Sequence, residues 1–314
     1  MQKPTEILWD TKYRPQTIDA CILPAKNKQY FKNIIAKNKI PNLLLCSSMP
    51  GTGKTTVARA ICNEMNFDTL FVNASEQSGV DVLRTLIRDH VSSFSLDGNE
   101  KVVILDEFDQ ASDSFQKAFR GFTEEFPSSR FILTANYSNK VIKPIRSRMT
   151  VVEFTVPESD RKDLIKQSAI RCLEILKKEG IPVSSNKIIV ELVRNSFPDN
   201  RSIIVELQRY STNGEIDEGI LGKLVPNDDI SELCAAMKSN KFSEVRHLIP
   251  AFASDYPNFI NALFRKGEHY MEKNSIGDFI LYLGRNQESA NDVVNMELHI
   301  SALVVELMGD IRWK

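Results

Sequence analysis

The chain has 314 residues, 42% hydrophobic and 26% charged, with 40 Lys and Arg against 41 Asp and Glu for a net charge of −1. That length predicts two or three compact units, and that balance excludes a disordered chain, a polycation and, with no apolar run of bilayer length, a membrane span. Cys21, Cys46, Cys62, Cys172 and Cys234 form no C-x-x-C pair, and the start at Met1 carries no signal-peptide pattern, so a reducing cytoplasm is expected.

In chain order, apolar runs predict strands over 42–47, 69–73, 101–106, 130–135 and 150–156. Helical periodicity fills the gaps over 55–65, 79–91 and 114–126, with a short helix over 141–146. Strands alternating with helices argue an α/β unit: a parallel sheet covered on both faces, with ligands at the carboxyl ends of its strands. Phe115, Phe119, Phe122 and Phe126 recur at helical spacing, the pattern of a core-facing stripe. After Pro157 the strand patterns stop. Helices are expected over 158–179, 184–196 and 201–210, broken at Gly180-Ile181-Pro182 and Phe197-Pro198-Asp199. Beyond Val225-Pro226-Asn227-Asp228-Asp229, about five more helices run to Lys314. The expected layout is an α/β core over 1–156, a small helical domain over 157–226 and an all-α domain over 227–314.

The chemistry begins at Pro50-Gly51-Thr52-Gly53-Lys54-Thr55-Thr56, between the apolar run Leu43-Leu44-Leu45-Cys46 and a helical pattern from Val57. A strand, a glycine turn and a helix start are what a phosphate-binding loop needs. Gly51 and Gly53 let backbone N–H groups turn inward around an anion, Lys54 reaches phosphate oxygens, and the Thr55 hydroxyl suits Mg²⁺. Ser48 stands where the G-x-x-x-x-G-K-[ST] pattern has its first glycine. Val102-Val103-Ile104-Leu105 delivers two carboxylates, Asp106 to hold Mg²⁺ and Glu107 to activate water. This strand is expected beside the one that leads into Lys54. Ile132-Leu133-Thr134-Ala135 ends in Asn136, which reads either as a γ-phosphate or water contact or as a turn residue. Arg148 follows a short helix and is either a solvated charge or a cation aimed at a neighbouring molecule. Asp199-Asn200-Arg201 opens a helix, with Asp199 as its cap and Arg201 as a surface or site arginine. His90, His247, His269 and His299 lie at no metal-ligand spacing.

Together these segments resemble the AAA+ ATPases of the clamp-loader branch. Trp9-Asp10-Thr11-Lys12-Tyr13-Arg14-Pro15 is similar to the W-x-x-K-Y-R-P box of replication factor C small subunits. Phe71-Val72-Asn73-Ala74-Ser75, continuing to Gly79-Val80-Asp81-Val82-Leu83-Arg84, resembles the N-A-S-D…G-I-D-x-x-R segment. Thr134-Ala135-Asn136 resembles sensor 1. Ser147-Arg148-Met149 resembles the S-R-C arginine finger with Met for Cys, and Asp199-Asn200-Arg201 resembles sensor 2 with Pro198 for its glycine. The Ser48 change, the Pro-Asp-x-Arg form and the closing Trp313-Lys314 resemble the large ATPase subunits of T-even-type phage loaders, and the four-cysteine zinc module of bacterial loaders is missing.

The resemblance implies an α/β AAA+ core, a three-helix lid and an all-α collar. Thr11, Lys12, Tyr13, Arg14 and Ile22 would border the adenine of ATP. Gly51, Thr52, Gly53, Lys54, Thr55 and Thr56 would cradle phosphates, with Mg²⁺ on Thr55 and Asp106. Glu107, Lys54, Asn136 and Arg201 would act within one subunit, Arg148 would act in trans on the next, and Asn73 would switch Glu107. Implied partners are further copies in a hetero-oligomeric ring, a small non-ATPase loader subunit, the sliding clamp, primer–template DNA and, indirectly, the replicative polymerase, in the cytoplasm of an infected bacterium. DNA phosphates would meet Ser78, Arg84, Arg88 and Lys117. From Asp228 onward thirteen acidic residues face nine basic ones, which suits a protein-binding collar. The alternatives are a non-hydrolysing AAA+ scaffold and an AAA+ helicase loader or branch-migration motor.

Overall fold

The computed structural model describes residues 8–76, 79–93, 98–223, 229–253, 256–290 and 293–314. The chain divides into two compact units, Met1–Asp217 and Glu218–Lys314.

In the first unit, helices α1 (Trp9–Lys12) and α2 (Ala25–Ala36) precede strand β1 (Leu43–Cys46). Then come α3 (Lys54–Glu64), β2 (Asp68–Asn73), α4 (Val80–Val82), a π-helical segment Leu83–Ile87 and α5 (Arg88–Ser92). They are followed by β3 (Lys101–Asp106), α6 (Asp113–Glu125), β4 (Arg130–Ala135), α7 (Lys143–Arg146) and β5 (Thr150–Glu153). The five strands form one parallel sheet in the order β2-β3-β4-β1-β5. The strand ending at Asp106 is therefore not beside the one leading to Lys54, as the sequence suggested. β4 lies between them and brings Asn136 to the centre of the sheet's carboxyl edge.

Alternation along the strands builds two cores. Leu43 and Leu45 turn to one face with Val102, Ile104 and Ile132, where Val57, Ala58 and Ile61 of α3 and Phe31 of α2 cover them. Leu44 and Cys46 turn to the other with Val103, Leu105 and Leu133, against Phe115, Phe119 and Phe122 of α6. Phe119 meets Phe131 edge-on at 5.2 Å, so the phenylalanine stripe is core, as its spacing predicts. Ser112 caps α6 by accepting the Phe115 N–H.

Still within this unit, α8 (Glu158–Glu179), α9 (Asn186–Ser196) and α10 (Asn200–Ser211) form the three expected helices. Gly180, left-handed at φ 69°, ends α8, and the Asp199 carboxylate caps α10 by accepting the Ser202 N–H. The second unit holds α11 (Asp229–Lys238), α12 (Phe242–Ala253), α13 (Tyr256–Gly267), α14 (Ile276–Ser289) and α15 (Met296–Asp310) around Phe252, Phe259, Phe279, Leu303 and Leu307. Among the described residues no helix is long and apolar enough to cross a membrane.

Candidate active site

The carboxyl ends of β1, β3 and β4 open into one cavity. The loop after β1 turns back through Gly51 (φ 63°) and Gly53 (φ 94°), left-handed conformations that favour glycine, and α3 starts at Lys54. The Lys54 ammonium donates to the Asn136 side-chain oxygen at 2.9 Å and to the Ser47 and Met49 carbonyls at 3.3 and 3.4 Å. Burial holds its pKa below the ordinary value of 10.5, against the upward pull of the Asp109 and Asp106 carboxylates.

Asp106 Oδ1 accepts from the Thr55 hydroxyl at 2.7 Å and from the Thr134 hydroxyl at 2.6 Å. Thr134 in turn accepts the Glu107 N–H at 3.0 Å, so one hydroxyl ties both carboxylate residues to β4. Glu107 has left-handed backbone (φ 54°, ψ 42°), uncommon for a residue with a Cβ, and its exposed side chain lines the cavity. A hydroxyl and a carboxylate in contact are hard oxygen donors, the set that suits a Mg²⁺ ion held by few protein ligands.

The far wall comes from the N-terminal segment, α8 and α10: Tyr13, Arg14, Pro15, Cys21, Ile22, Arg171, Cys172, Ile203 and Arg201 among others. Of the five residues expected at the base end, Tyr13, Arg14 and Ile22 line the cavity and Thr11 and Lys12 do not. The Lys12 ammonium turns instead to the opposite charge of Glu179 on α8 at 2.6 Å, a carboxylate that also accepts from the Tyr13 hydroxyl at 2.5 Å.

Three family models match the chain. The ATPase family associated with various cellular activities (AAA) matches residues 44–156. The sliding-clamp-loader large subunit matches twice, through its AAA+ ATPase lid domain at 160–222 and its C-terminal domain at 255–312. The chain is 39% identical to the sliding-clamp-loader large subunit of Enterobacteria phage T4, over 98% of either chain. It belongs to the sliding-clamp-loader large-subunit family. It is also 38% identical to the large subunit of Escherichia phage RB69, over 98% of either chain. A replication factor C small subunit from Archaeoglobus fulgidus is 31% identical, over 94% of this chain and 97% of the relative. Among solved structures, a RuvB mutant from Thermotoga maritima matches with a TM-score of 0.54 at 14% identity, over 73% of this chain and 81% of that one, a likeness of fold.

Of the remaining expected residues, some line the cavity and others lie away from it. Arg201 reaches the cavity from the first turn of α10, near enough to Lys54 to oppose its charge. Thr52 and Thr56 line it with Gly51, Gly53 and Thr55. Arg148 instead sits outside this cavity, donating to Glu124 at 2.6 Å and to the Pro144 carbonyl at 2.8 Å. Asn73 pairs with Asp106 in the sheet, and its side-chain oxygen accepts from the Ser75 N–H and hydroxyl. Ser78 lies outside the described residues. Arg84 and Lys117 are exposed. Arg88 is bound by both Glu125 oxygens at 2.6 and 2.8 Å and lies near the Phe126 and Phe122 rings, so its guanidinium is already engaged within the chain.

Three residues at this site escape the motif reading. Thr134 lies inside the sensor 1 segment, yet only the structure reveals its contacts with Asp106 and Glu107. Asp109 is buried and accepts the Tyr137 N–H at 3.1 Å, steadying the turn after Asn136. Arg171 comes from mid-helix in α8, where no local pattern marks it.

Proposed function

We propose that this chain is an ATP-hydrolysing subunit of a clamp loader that opens a sliding clamp and places it on primer–template DNA during phage replication. The observation that carries this reading is the full-length likeness to loader large subunits in a chain whose Lys54, Thr55, Asp106, Glu107 and Asn136 meet at one cavity. The proposed division is a core over 1–156, a lid over 157–226 and a collar over 227–314.

In this reading the loop from Gly51 to Thr56 wraps the phosphates and Tyr13, Arg14 and Ile22 border the base. Thr55 and Asp106 would hold Mg²⁺, which when bound supplies positive charge to the phosphates. Glu107 takes the proton of the attacking water, while Lys54, Asn136 and Arg201 hold and neutralise the γ-phosphate. Arg148, outside its own chain's cavity, serves the next subunit, where an arginine in trans is worth about 10³–10⁵ in rate. Hydrolysis then depends on assembly. Asn73 holds Glu107 away from water until DNA is bound. Arg84, Arg88, Lys117 and Ser78 meet DNA phosphates without sequence preference, Arg88 by exchanging its exposed Glu125 partner.

Further copies and a smaller non-ATPase subunit complete the ring, in the host cytoplasm. A non-hydrolysing scaffold is disfavoured because Lys54, Asp106, Glu107 and Arg148 are all kept. The test is steady-state ATPase of the purified loader alone, with clamp, with primer–template DNA and with both. Stimulation that needs both ligands is expected, and activity indifferent to them would contradict the loader reading.

A further inference from the structure

The base end of the cavity is walled by a segment that has little helix and no strand of its own. Residues 13–21 follow the four-residue α1, and within them only Ile18 and Cys21 are fully buried. A wall that must keep its shape for a ligand needs anchors. The structure supplies them from α8 and α10, beyond the whole sheet in sequence. The Arg171 guanidinium donates from one nitrogen to the Tyr13 carbonyl and from the other to the Ala20 carbonyl at 3.0 Å. Those two carbonyls bracket the loop that carries Arg14 and Pro15, and Cys21 and Ile22 follow directly. Eight residues on, the same helix presents Glu179 to the Tyr13 hydroxyl, and Gln208 of α10 accepts the Trp9 N–H at 2.9 Å.

Arg171 itself lines the cavity. Its hydrogen bonds go to neutral carbonyls, and burial holds its pKa below the ordinary arginine range, with only Cys21, Cys172 and Glu174 opposing. A half-buried charge spent on two carbonyls costs desolvation without an ion pair to offset it. What it secures is geometry, because a planar fork fixes two acceptors at once and a flexible ammonium does not. The opposite end of the cavity, with Lys54, Thr55 and Asp106, has its own supports in β3 and β4 and does not depend on this staple.

We propose that Arg171 is a positioning residue that sets the base-binding wall of the nucleotide cavity, so that affinity for the nucleoside part of the ligand depends on it and affinity for the triphosphate part does not. The inference rests on the nucleotide reading of the cavity given above. It is tested on the full chain by measuring the dissociation constants of ATP and of inorganic tripolyphosphate for wild type, Arg171→Ala and Arg171→Lys. Losing two charge-assisted hydrogen bonds predicts roughly a tenfold weaker ATP affinity in Arg171→Ala. Tripolyphosphate affinity stays at the wild-type value, and Arg171→Lys recovers part of the loss. If Arg171→Ala fails to fold, the ratio of the two affinities in Arg171→Lys decides, and a ratio equal to wild type overturns the proposal. Unchanged ATP affinity in Arg171→Ala, or equal losses for ATP and tripolyphosphate, also overturns it. A wild-type chain that binds neither ligand overturns the nucleotide reading, and this inference with it.

Discussion

Lys54 is where burial and function pull against each other. Its ammonium is partly desolvated, so it releases its proton below the ordinary 10.5 in the free chain, while phosphate binding favours the protonated form. ATP affinity is therefore expected to fall as pH rises through that lowered value, by up to about tenfold per pH unit. Titrating ATP into the chain between neutral and alkaline pH checks this, and Lys54→Arg, which keeps its charge, flattens the curve. Thr134 offers a second test at this scale. Its hydroxyl holds both Asp106 and the Glu107 backbone, so Thr134→Val leaves the fold and the ATP KM near wild type and lowers kcat, about tenfold for the two lost positioning contacts. A rise in KM with kcat intact would place Thr134 in binding instead.

Among the elements, the turn from β1 into α3 and the start of α10 touch. The Asn200 N–H donates to the Gly51 carbonyl at 3.2 Å, and a Cβ on Gly51 would stand 1.7 Å from the Asp199 carboxylate. Gly53 is equally left-handed but has nothing within 4 Å of such a Cβ. Gly51→Ala is accordingly expected to cost about 1–3 kcal/mol in denaturant melts, from strain plus displacement of the α10 cap. Gly53→Ala should cost only about 1 kcal/mol, from backbone strain alone. On the other face of the sheet, Phe119→Ala opens the aromatic core under α6 and is expected to cost about 3–5 kcal/mol.

The elements were largely legible in sequence because local pattern and burial agree. β3 and β4 begin and end where their apolar runs do, and α8 spans its full periodic stretch. β5 stops at Glu153, short of the predicted 156, although Phe154 still donates its N–H to Cys46. α2 is not legible in sequence, because its buried residues are Phe31 and Ile34 among lysines and asparagines that blur the apolar period. The expected adjacency of β3 and β1 fails because β4 lies between them, a long-range choice that no local pattern carries. The same holds for Lys12, Glu179 and Arg171, whose partners lie more than 150 residues away.

At the scale of the whole molecule, Lys54, Thr55, Asp106, Glu107 and Asn136 gather at one cavity, and Arg148 lies outside it. Arg148 is held outside the cavity by Glu124 and Pro144, on an exposed pair worth at most about 1 kcal/mol, too little to keep it from a neighbour's phosphate. On the function proposed above, this arginine completes the site of another copy. The direct measurement is ATPase of loaders assembled with clamp and primer–template DNA from Glu107→Gln subunits, from Arg148→Ala subunits, and from a mixture of both. Each variant alone should be nearly inactive, and the mixture should regain activity, because an intact Glu107 on one subunit can meet an intact Arg148 on the next. A mixture no more active than either variant, or an Arg148→Ala loader as active as wild type, would contradict the claim.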